Sequence, residues 1–297
     1  MNNTIEAFLV DAIVDHCGQR YEGLRLSRSG LGCINETWKV HGDGLEPLFV
    51  KVGVPAAKDM YEKEMTGLTL LTQVEGLRIP RALFTAAGEA CACLVMEFIE
   101  LGPVRPSSEV LLGEGLAELH GITADRFGLD QDNYIGRSVQ CNDQVDDWWS
   151  FFCAQRFGVQ WEAAKDNGMR VVLLDRIAEL IARVPDAFAE HQPRASLVHG
   201  DLWTGNVSVD SDGMPCIYDP AVYFGDSETD IAMSKMFQQL APGVYQAYHS
   251  HHPLQPEHEL RRTLYDLYHW MNHFNLFGVT YLGQVEHCVD MVLNDVG

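Results

Sequence analysis

The segment His199-Gly200-Asp201-Leu202-Trp203-Thr204-Gly205-Asn206, followed after the apolar pair Ile217-Tyr218 by Asp219, constrains this chain more than any other feature. Two short strand-like runs, Val207-Ser208-Val209 and Cys216-Ile217-Tyr218, lie between Asn206 and Asp219, and Asp210-Ser211-Asp212-Gly213 joins them with turn chemistry. A hairpin of this kind returns Asp219 to the side of Asn206. Two oxygen ligands converging from adjacent loops suit a hard cation that keeps waters and phosphate oxygens in its shell, so Mg²⁺ is the expected ion. Asp and Asn favour turns in any protein. The reading therefore depends on what stands upstream.

Upstream, in order, come elements that accommodate a nucleotide. The run from Ser27 to Val40 reads as strand, glycine turn, strand, with Gly30, Gly32, Cys33 and Asn35 in the turn. Glycines let a backbone approach phosphates and present N–H groups to them, although an ordinary hairpin turn also uses them. Pro47-Leu48-Phe49-Val50-Lys51-Val52 is a strand with one Lys among apolar neighbours, where an ammonium is costly unless a phosphate or carboxylate meets it. A helix then carries Met65, Leu68 and Leu71 on one face, and Glu64 on it is the expected partner of Lys51. Glu62 lies on a different face, so only one of the two can point at the strand. The run Cys91 to Ile99 resembles the last strand of a small lobe passing into a hinge, and backbone groups at Met96, Glu97, Phe98 and Ile99 are candidates for adenine. Cys91 and Cys93 share one strand face and read as core thiols, because no second pair offers zinc-site spacing. The spacing His-x-Asp-x-x-x-x-Asn itself resembles the protein-kinase catalytic loop, which implies Asp201 as the base and Asn206 with Asp219 as metal ligands.

This order of elements predicts an α+β, two-lobed, protein-kinase-like fold. Residues 1–98 form a small antiparallel-sheet N-lobe with one main helix that binds nucleotide, and residues 99–297 form a larger, mostly helical C-lobe for catalysis and acceptor binding. Gly102, Pro103 and Pro106 mark the boundary, and a helix follows through Val110, Leu112, Leu116 and Leu119. The aromatic-rich stretch from Asp146 to Ala164 reads as a helix packed in the larger lobe. The 297 residues, 46% of them hydrophobic, can bury a sizeable core. The N-terminal run with Ile5, Phe8, Leu9, Ala12 and Ile13 is amphipathic and reads as a helix, not a signal peptide. No uncharged apolar run reaches the roughly 20 residues of a membrane span. Eight cysteines scattered along such a chain fit a reducing compartment, so a cytoplasmic location is expected. With 21 basic against 42 acidic residues the net charge is −21, which argues against nucleic acid or an anionic membrane as partner and would attract cationic substrates.

Taken together, Leu-Val-His199-Gly-Asp201-Leu-Trp203-Thr-Gly-Asn206, Tyr218-Asp219-Pro220-Ala221 and Asp230-Ile-Ala-Met233 resemble the fructosamine (ketosamine-3-) kinase family, within the wider aminoglycoside-phosphotransferase and choline-kinase-like group. Gly32-Cys33-Ile34-Asn35-Glu36, Asp132-Asn133-Tyr134-Ile135-Gly136 and Asn272-His273-Phe274-Asn275-Leu276-Phe277-Gly278 support the likeness, which covers nearly the whole chain. One departure is Asp226, where the family commonly carries His after the Tyr/Phe-Gly pair.

The resemblance implies an ATP- and Mg²⁺-dependent phosphotransferase acting on the 3-hydroxyl of a ketoamine, such as a ribulosamine or fructosamine adduct of lysine, leading to deglycation. Asp201 would deprotonate that hydroxyl, Trp203 could stack on the sugar, and Asn272, His273 and Asn275 could line the acceptor pocket, with plain packing an equal reading for His273. Cys33, in the phosphate loop, is a candidate redox switch, since nearby N–H groups lower a thiol's pKa. His249, His251, His252 and His258, interrupted by Pro253 and Pro256, read as a solvated loop. Two other classes share these motifs: a kinase for an aminoglycoside, choline or homoserine, and a non-catalytic nucleotide-binding protein. The quaternary state stays open between monomer and homodimer.

Overall fold

The computed structural model describes residues 3–18, 23–31, 36–42 and 46–295. A helix, α1 (Asn3–Cys17), precedes a five-stranded antiparallel sheet made of β1 (Arg25–Leu31), β2 (Glu36–His41), β3 (Leu48–Gly53), β4 (Ala82–Ala87) and β5 (Ala92–Glu97), in the order β1-β2-β3-β5-β4. Between β3 and β4 runs α2 (Lys58–Leu71). Side chains alternate across a strand, and here the alternation sorts residues between two helices. Leu48, Val50, Val52, Cys91, Cys93 and Val95 pack with Leu9 and Ile13 of α1. Ala92, Leu94 and Met96 face the other way, with Tyr61, Leu68 and Leu71 of α2. Lys51, between Val50 and Val52, is therefore directed toward α2 by register alone. The sheet carries a helix on each face: the main one, α2, and the N-terminal α1, both expected from the sequence.

The larger lobe opens with α3 (Pro106–Gly121), which starts four residues before Val110, with Pro106 at its first turn where its missing N–H costs nothing. Strand β6 (Thr123–Ala124) is followed by the hairpin of β7 (Asn133–Ile135) and β8 (Ser138–Gln140). Then α4 (Trp148–Phe151), a π-helical stretch Phe152–Gly158 and α5 (Val159–Asp166) run end to end, followed by α6 (Val171–Ala187). Trp148, Trp149, Phe151, Phe152 and Phe157 along that run are all buried and form the centre of the lobe's core. β9 (Ala195–Val198) leads to the hairpin of β10 (Val207–Val209) and β11 (Pro215–Ile217), and β12 (Tyr223–Gly225) returns antiparallel beside β9. The chain ends with α7 (Glu228–Met233), α8 (Pro242–His251), α9 (His258–Phe277) and α10 (Leu282–Asp295). Among the described residues no helix is long and apolar enough to cross a membrane.

Two expectations are revised. The histidine tract is mostly helical: His249 and His251 lie in the last turn of α8, His258 opens α9, and the two prolines interrupt only the link between them. His252 in that link lies with Nε2 3.0 Å from Ser227 Oγ. Asp226, the departure from the family pattern, is buried and accepts from His191 Nε2 and Tyr265 Oη, each at 2.6 Å. His191, Asp226 and Glu228 lie close enough to gather a metal, but each is already used, since Glu228 holds Arg261 at 2.7 and 2.8 Å.

Gly113 lets α3 press onto α8, because a Cβ there would meet the Val244 carbonyl oxygen at 2.3 Å and Ala247 Cβ at 2.7 Å. Gly113→Ala should lower stability by about 1–3 kcal/mol through overpacking, read as a shifted urea midpoint at unchanged m-value.

Candidate active site

The site is organised around one buried ammonium. Lys51 is 5% exposed, and its Nζ lies 2.5 Å from Glu64 Oε1 and 2.7 Å from Asp219 Oδ1. Burial works against the charge, but the two carboxylates outweigh it and hold the Lys51 pKa above its ordinary value. Glu62 instead faces Lys58 on the helix surface, at 3.4 Å. Asp219 reaches this point from β11: the β10–β11 ladder continues as the Tyr218 amide donates to Asn206 O at 3.2 Å, which sets Asp219 beside Asn206. Asp219 has φ 58°, a left-handed conformation unusual for a residue with a side chain.

Asp201 lies behind this pair. Asn206 Nδ2 donates to the Asp201 backbone oxygen at 2.9 Å and to its Oδ2 at 3.1 Å. Both amide hydrogens are thus turned to Asp201, and the Asn206 carbonyl oxygen is left for another ligand. Burial, and then the neighbouring Asp219, push the Asp201 carboxyl up to about 7. Among the described residues Lys51 is the cation in contact with Glu64 and Asp219, while Lys63, also on the cleft, is turned to Gln131, so the oxygen-lined site around Asp201 and Asp219 suits further positive charge. Asn206 Oδ1 and the half-exposed Asp219 carboxylate fit a hard divalent cation.

The catalytic loop is held from beneath. His199 Nε2 donates to Tyr218 O at 3.0 Å while its Nδ1 accepts from the Asp201 amide at 3.3 Å, which requires the neutral ring. Burial also lowers the His199 pKa, in the same direction. Gly200 has φ +81°, and a Cβ there would fall 2.1 Å from the Ala221 carbonyl oxygen, so only glycine lets the two loops touch. Buried Asp230, at the start of α7, accepts from the amides of His199 (2.6 Å) and Gly200 (2.9 Å) and from His120 Nε2 (3.1 Å). Burial would raise the Asp230 pKa, yet His120 and these amides hold it below the usual range. Asp230 stood in the sequence as a motif residue without a role. Its signal is a carboxylate in the first turn of a helix, directly before the apolar run Ile231-Ala232-Met233.

These groups open on a cleft of about 690 Å³ between the sheet and the larger lobe, lined by Phe49, Lys51, Met96, Tyr134, Asp201 and Trp203 among others. Glu97, Phe98 and Ile99 lie on its wall. The amides of Glu97 and Phe98 are taken by Arg81 O and Pro47 O, at 3.0 and 3.2 Å, whereas the Ile99 amide has no partner among the described residues. Gly30 pairs with Thr37 in the β1–β2 ladder. Gly32, Cys33 and Asn35 lie outside the described residues, so the redox reading of Cys33 rests on the sequence.

The acceptor residues divide. Trp203 lines the cleft and lies over Gly205, with its ring edge-on to Phe237 at 5.5 Å. His273 contacts the other side of Phe237, ring to ring at 5.1 Å, so it joins the same aromatic group one layer out. Asn272 and Asn275 do not reach the cleft. Asn272 is buried against Gln160, and Asn275 Nδ2 donates to Gln160 O and Oε1 at 2.9 and 2.8 Å, which fastens α9 to α5. The resemblance that suggested these residues fixes their identity, not the direction in which each side chain faces. Tyr134 and Gly136 line the cleft from the β7–β8 hairpin, which carried no assigned role in the sequence.

Asp230→Ala would leave two buried amides and His120 without their acceptor, at about 1–3 kcal/mol for each unsatisfied group. A clear drop in thermal midpoint together with loss of turnover is expected, and an unchanged midpoint would remove Asp230 from this support.

A fructosamine kinase family model matches residues 6–295. The chloroplastic protein-ribulosamine 3-kinase of Arabidopsis thaliana is 34% identical over 278 residues, covering 92% of this chain and 84% of the relative. A crystal structure from Haemophilus somnus, provisionally designated a fructosamine-3-kinase, superposes with TM-score 0.87 at 27% identity over 96% of both chains. Aminoglycoside phosphotransferase APH(4)-Ia, in ternary complex with AMP-PNP and hygromycin B, shares the fold at TM-score 0.64 and 16% identity, over 97% of both chains. The family match, running almost end to end over a two-lobed kinase-like fold, means that this chain belongs to the fructosamine kinase family and is a phosphotransferase with an alcohol group as acceptor.

Proposed function

We propose that this protein transfers the γ-phosphoryl group of ATP to the 3-hydroxyl of a ketosamine, a ribulosamine- or fructosamine-type adduct of an amine. The observation that carries the reading is the convergence of Lys51, Asp201, Asn206 and Asp219 on one cleft, in a chain of this family. We place the lobe boundary after Phe98, so that the hinge closes the nucleotide side. The Ile99 amide is the hinge donor for adenine, and Lys51, steadied by Glu64, moves from Asp219 to the phosphates when nucleotide enters. Asn206 and Asp219 would hold Mg²⁺, and the ion would supply neutralisation of negative charge on the phosphates. Asp201 orients and deprotonates the acceptor hydroxyl, a contribution of about 10²–10⁴-fold. Trp203 gives the sugar a flat face opposite Asp201.

The chemistry of the product supports a repair role. A phosphate on C3, next to the C2 ketone, is a leaving group. Enolisation toward C1 expels it as inorganic phosphate, and hydrolysis of the resulting imine frees the amine and a 3-deoxy dicarbonyl. The transfer itself consumes one ATP and yields ADP.

The test is Mg²⁺-dependent ATP turnover with lysine-linked ribulosamine and fructosamine beside kanamycin and choline, with Asp201→Asn as blank. Turnover on the ketoamines alone is expected, with Asp201→Asn at least 10²-fold slower at nearly unchanged nucleotide affinity. Turnover on kanamycin or choline alone would replace the acceptor assignment, and none on any acceptor would favour a nucleotide-binding protein. Chelation of Mg²⁺ should stop the reaction reversibly, and Asp219→Asn should need more Mg²⁺ for half-maximal rate.

A further inference from the structure

We propose that the β7–β8 hairpin is a positioning clamp for the phosphoryl-transfer site, with Asn133 and Gln140 as positioning residues for the Asp219 loop and Tyr134 as their tie to α2. The proposal rests on the reading above that Asp219 and Lys51 serve phosphoryl transfer.

One arm of the clamp is buried and grips the loop that follows Asp219. Asn133 Nδ2 donates to Val222 O at 2.7 Å, and Gln140 Nε2 donates to Ala221 O at 2.9 Å and to Asn133 Oδ1 at 2.8 Å. Asn142 Nδ2 also donates to Asn133 Oδ1, at 3.0 Å, and Tyr268 Oη donates to Gln140 Oε1 at 3.2 Å. Behind them stands Arg156, fully buried in the π-helical stretch, whose Nη2 donates to Asn142 Oδ1 at 2.8 Å. Among the described residues no carboxylate pairs with Arg156. Its guanidinium lies over the Tyr223 ring at 4.0 Å and donates to the Cys141 carbonyl at 2.6 Å. In this network only Arg156 Nε is left without a hydrogen-bond partner among the described residues; the side-chain amides of Asn133, Gln140 and Asn142 are joined to one another and to the loop, and such a connected buried network favours one arrangement.

The other arm is exposed and reaches the smaller lobe. Tyr134 Oη donates to Asp59 Oδ2 at 2.7 Å, and Lys63 Nζ donates to Gln131 Oε1 at 2.7 Å. Asp59 and Lys63 are on α2, the helix that presents Glu64 to Lys51. The contacts therefore close a ring: Asp219 to its loop, the loop to Asn133 and Gln140, the hairpin to α2, Glu64 to Lys51, and Lys51 back to Asp219. Asp219 needs such restraint, because a left-handed residue with a side chain persists only where its surroundings over-determine it. The hairpin couples the position of the metal loop to that of the Lys51–Glu64 pair.

The test is a double-mutant cycle on the exposed arm, Tyr134→Phe, Asp59→Ala and both together, read by calorimetric affinity for ADP with Mg²⁺ and by thermal midpoint. Each single variant should weaken ADP–Mg²⁺ binding about three- to tenfold at a nearly unchanged midpoint, and the double variant should be no weaker than either. On the buried arm, Asn133→Ala should lower the midpoint and also raise, several-fold, the Mg²⁺ concentration that half-saturates ADP binding. Additive effects in the cycle, or a lowered midpoint for Asn133→Ala with unchanged Mg²⁺ dependence, would overturn the clamp. Neither readout involves an acceptor, so a failed ketosamine assignment and a failed clamp give different results.

Discussion

An ammonium taken out of water has to be met by negative charge, and in this protein Lys51 is met twice, by Glu64 from α2 and by Asp219 from the far lobe. Each partner alone would leave a different structure. Glu64 alone would fasten α2 to the sheet and leave the lobes unconnected at this point. Asp219 alone would join the lobes but leave α2 without a fixed rotation. With both, one cation locates the sheet, the helix and the Asp219 loop relative to one another, and removal of either carboxylate exposes the cost of the buried charge.

The remainder of the site holds the loops that carry Asp219 and Asp201 in place, whichever partner Lys51 takes. The metal loop leaves β11 and enters β12, and the catalytic loop leaves β9, which pairs with β12. Neutral His199 bridges the two loops, with one ring nitrogen on each, and Gly200 allows their backbones to touch. Asp230 then draws the catalytic loop down onto α7 and, through His120, onto α3. The cleft side of the loops thus carries Lys51, Glu64, Asp201 and Asp219, while on the core side one buried carboxylate, Asp230, takes up the loop amides. Asp201 is buried enough for its carboxyl to be pushed up to about 7, yet it lines the cleft where an acceptor hydroxyl can meet it.

Much of this was legible in the residues because the information is local. Lys51 among apolar strand neighbours and the turn between β10 and β11 follow from short-range rules of pattern and turn chemistry, and the spacing from Asp201 to Asn206 stands out through its resemblance to the protein-kinase catalytic loop. Helix geometry said only that Glu62 and Glu64 face different ways, and the contact of Glu64 with Lys51 decides between them. What could not be read depends on contacts between residues far apart in sequence. Asp230 serves loops some 30 positions earlier, a separation that no periodicity reports. Asn272 and Asn275 have the polarity of a pocket wall and were assigned to one, but Gln160 takes up their hydrogen bonds. Asp226, conspicuous as a departure from its family, turned out to belong to a buried pair with His191.

The account places the transferred phosphate on one particular oxygen, and that is its most exposed claim. Phosphorus–proton correlation NMR on the product formed from ATP, Mg²⁺ and lysine-linked ribulosamine reads the attachment directly. A correlation from phosphorus to the proton on C3, decaying to free phosphate as the amine is released, is the predicted result. A stable phosphate correlated to any other carbon's proton would contradict the account.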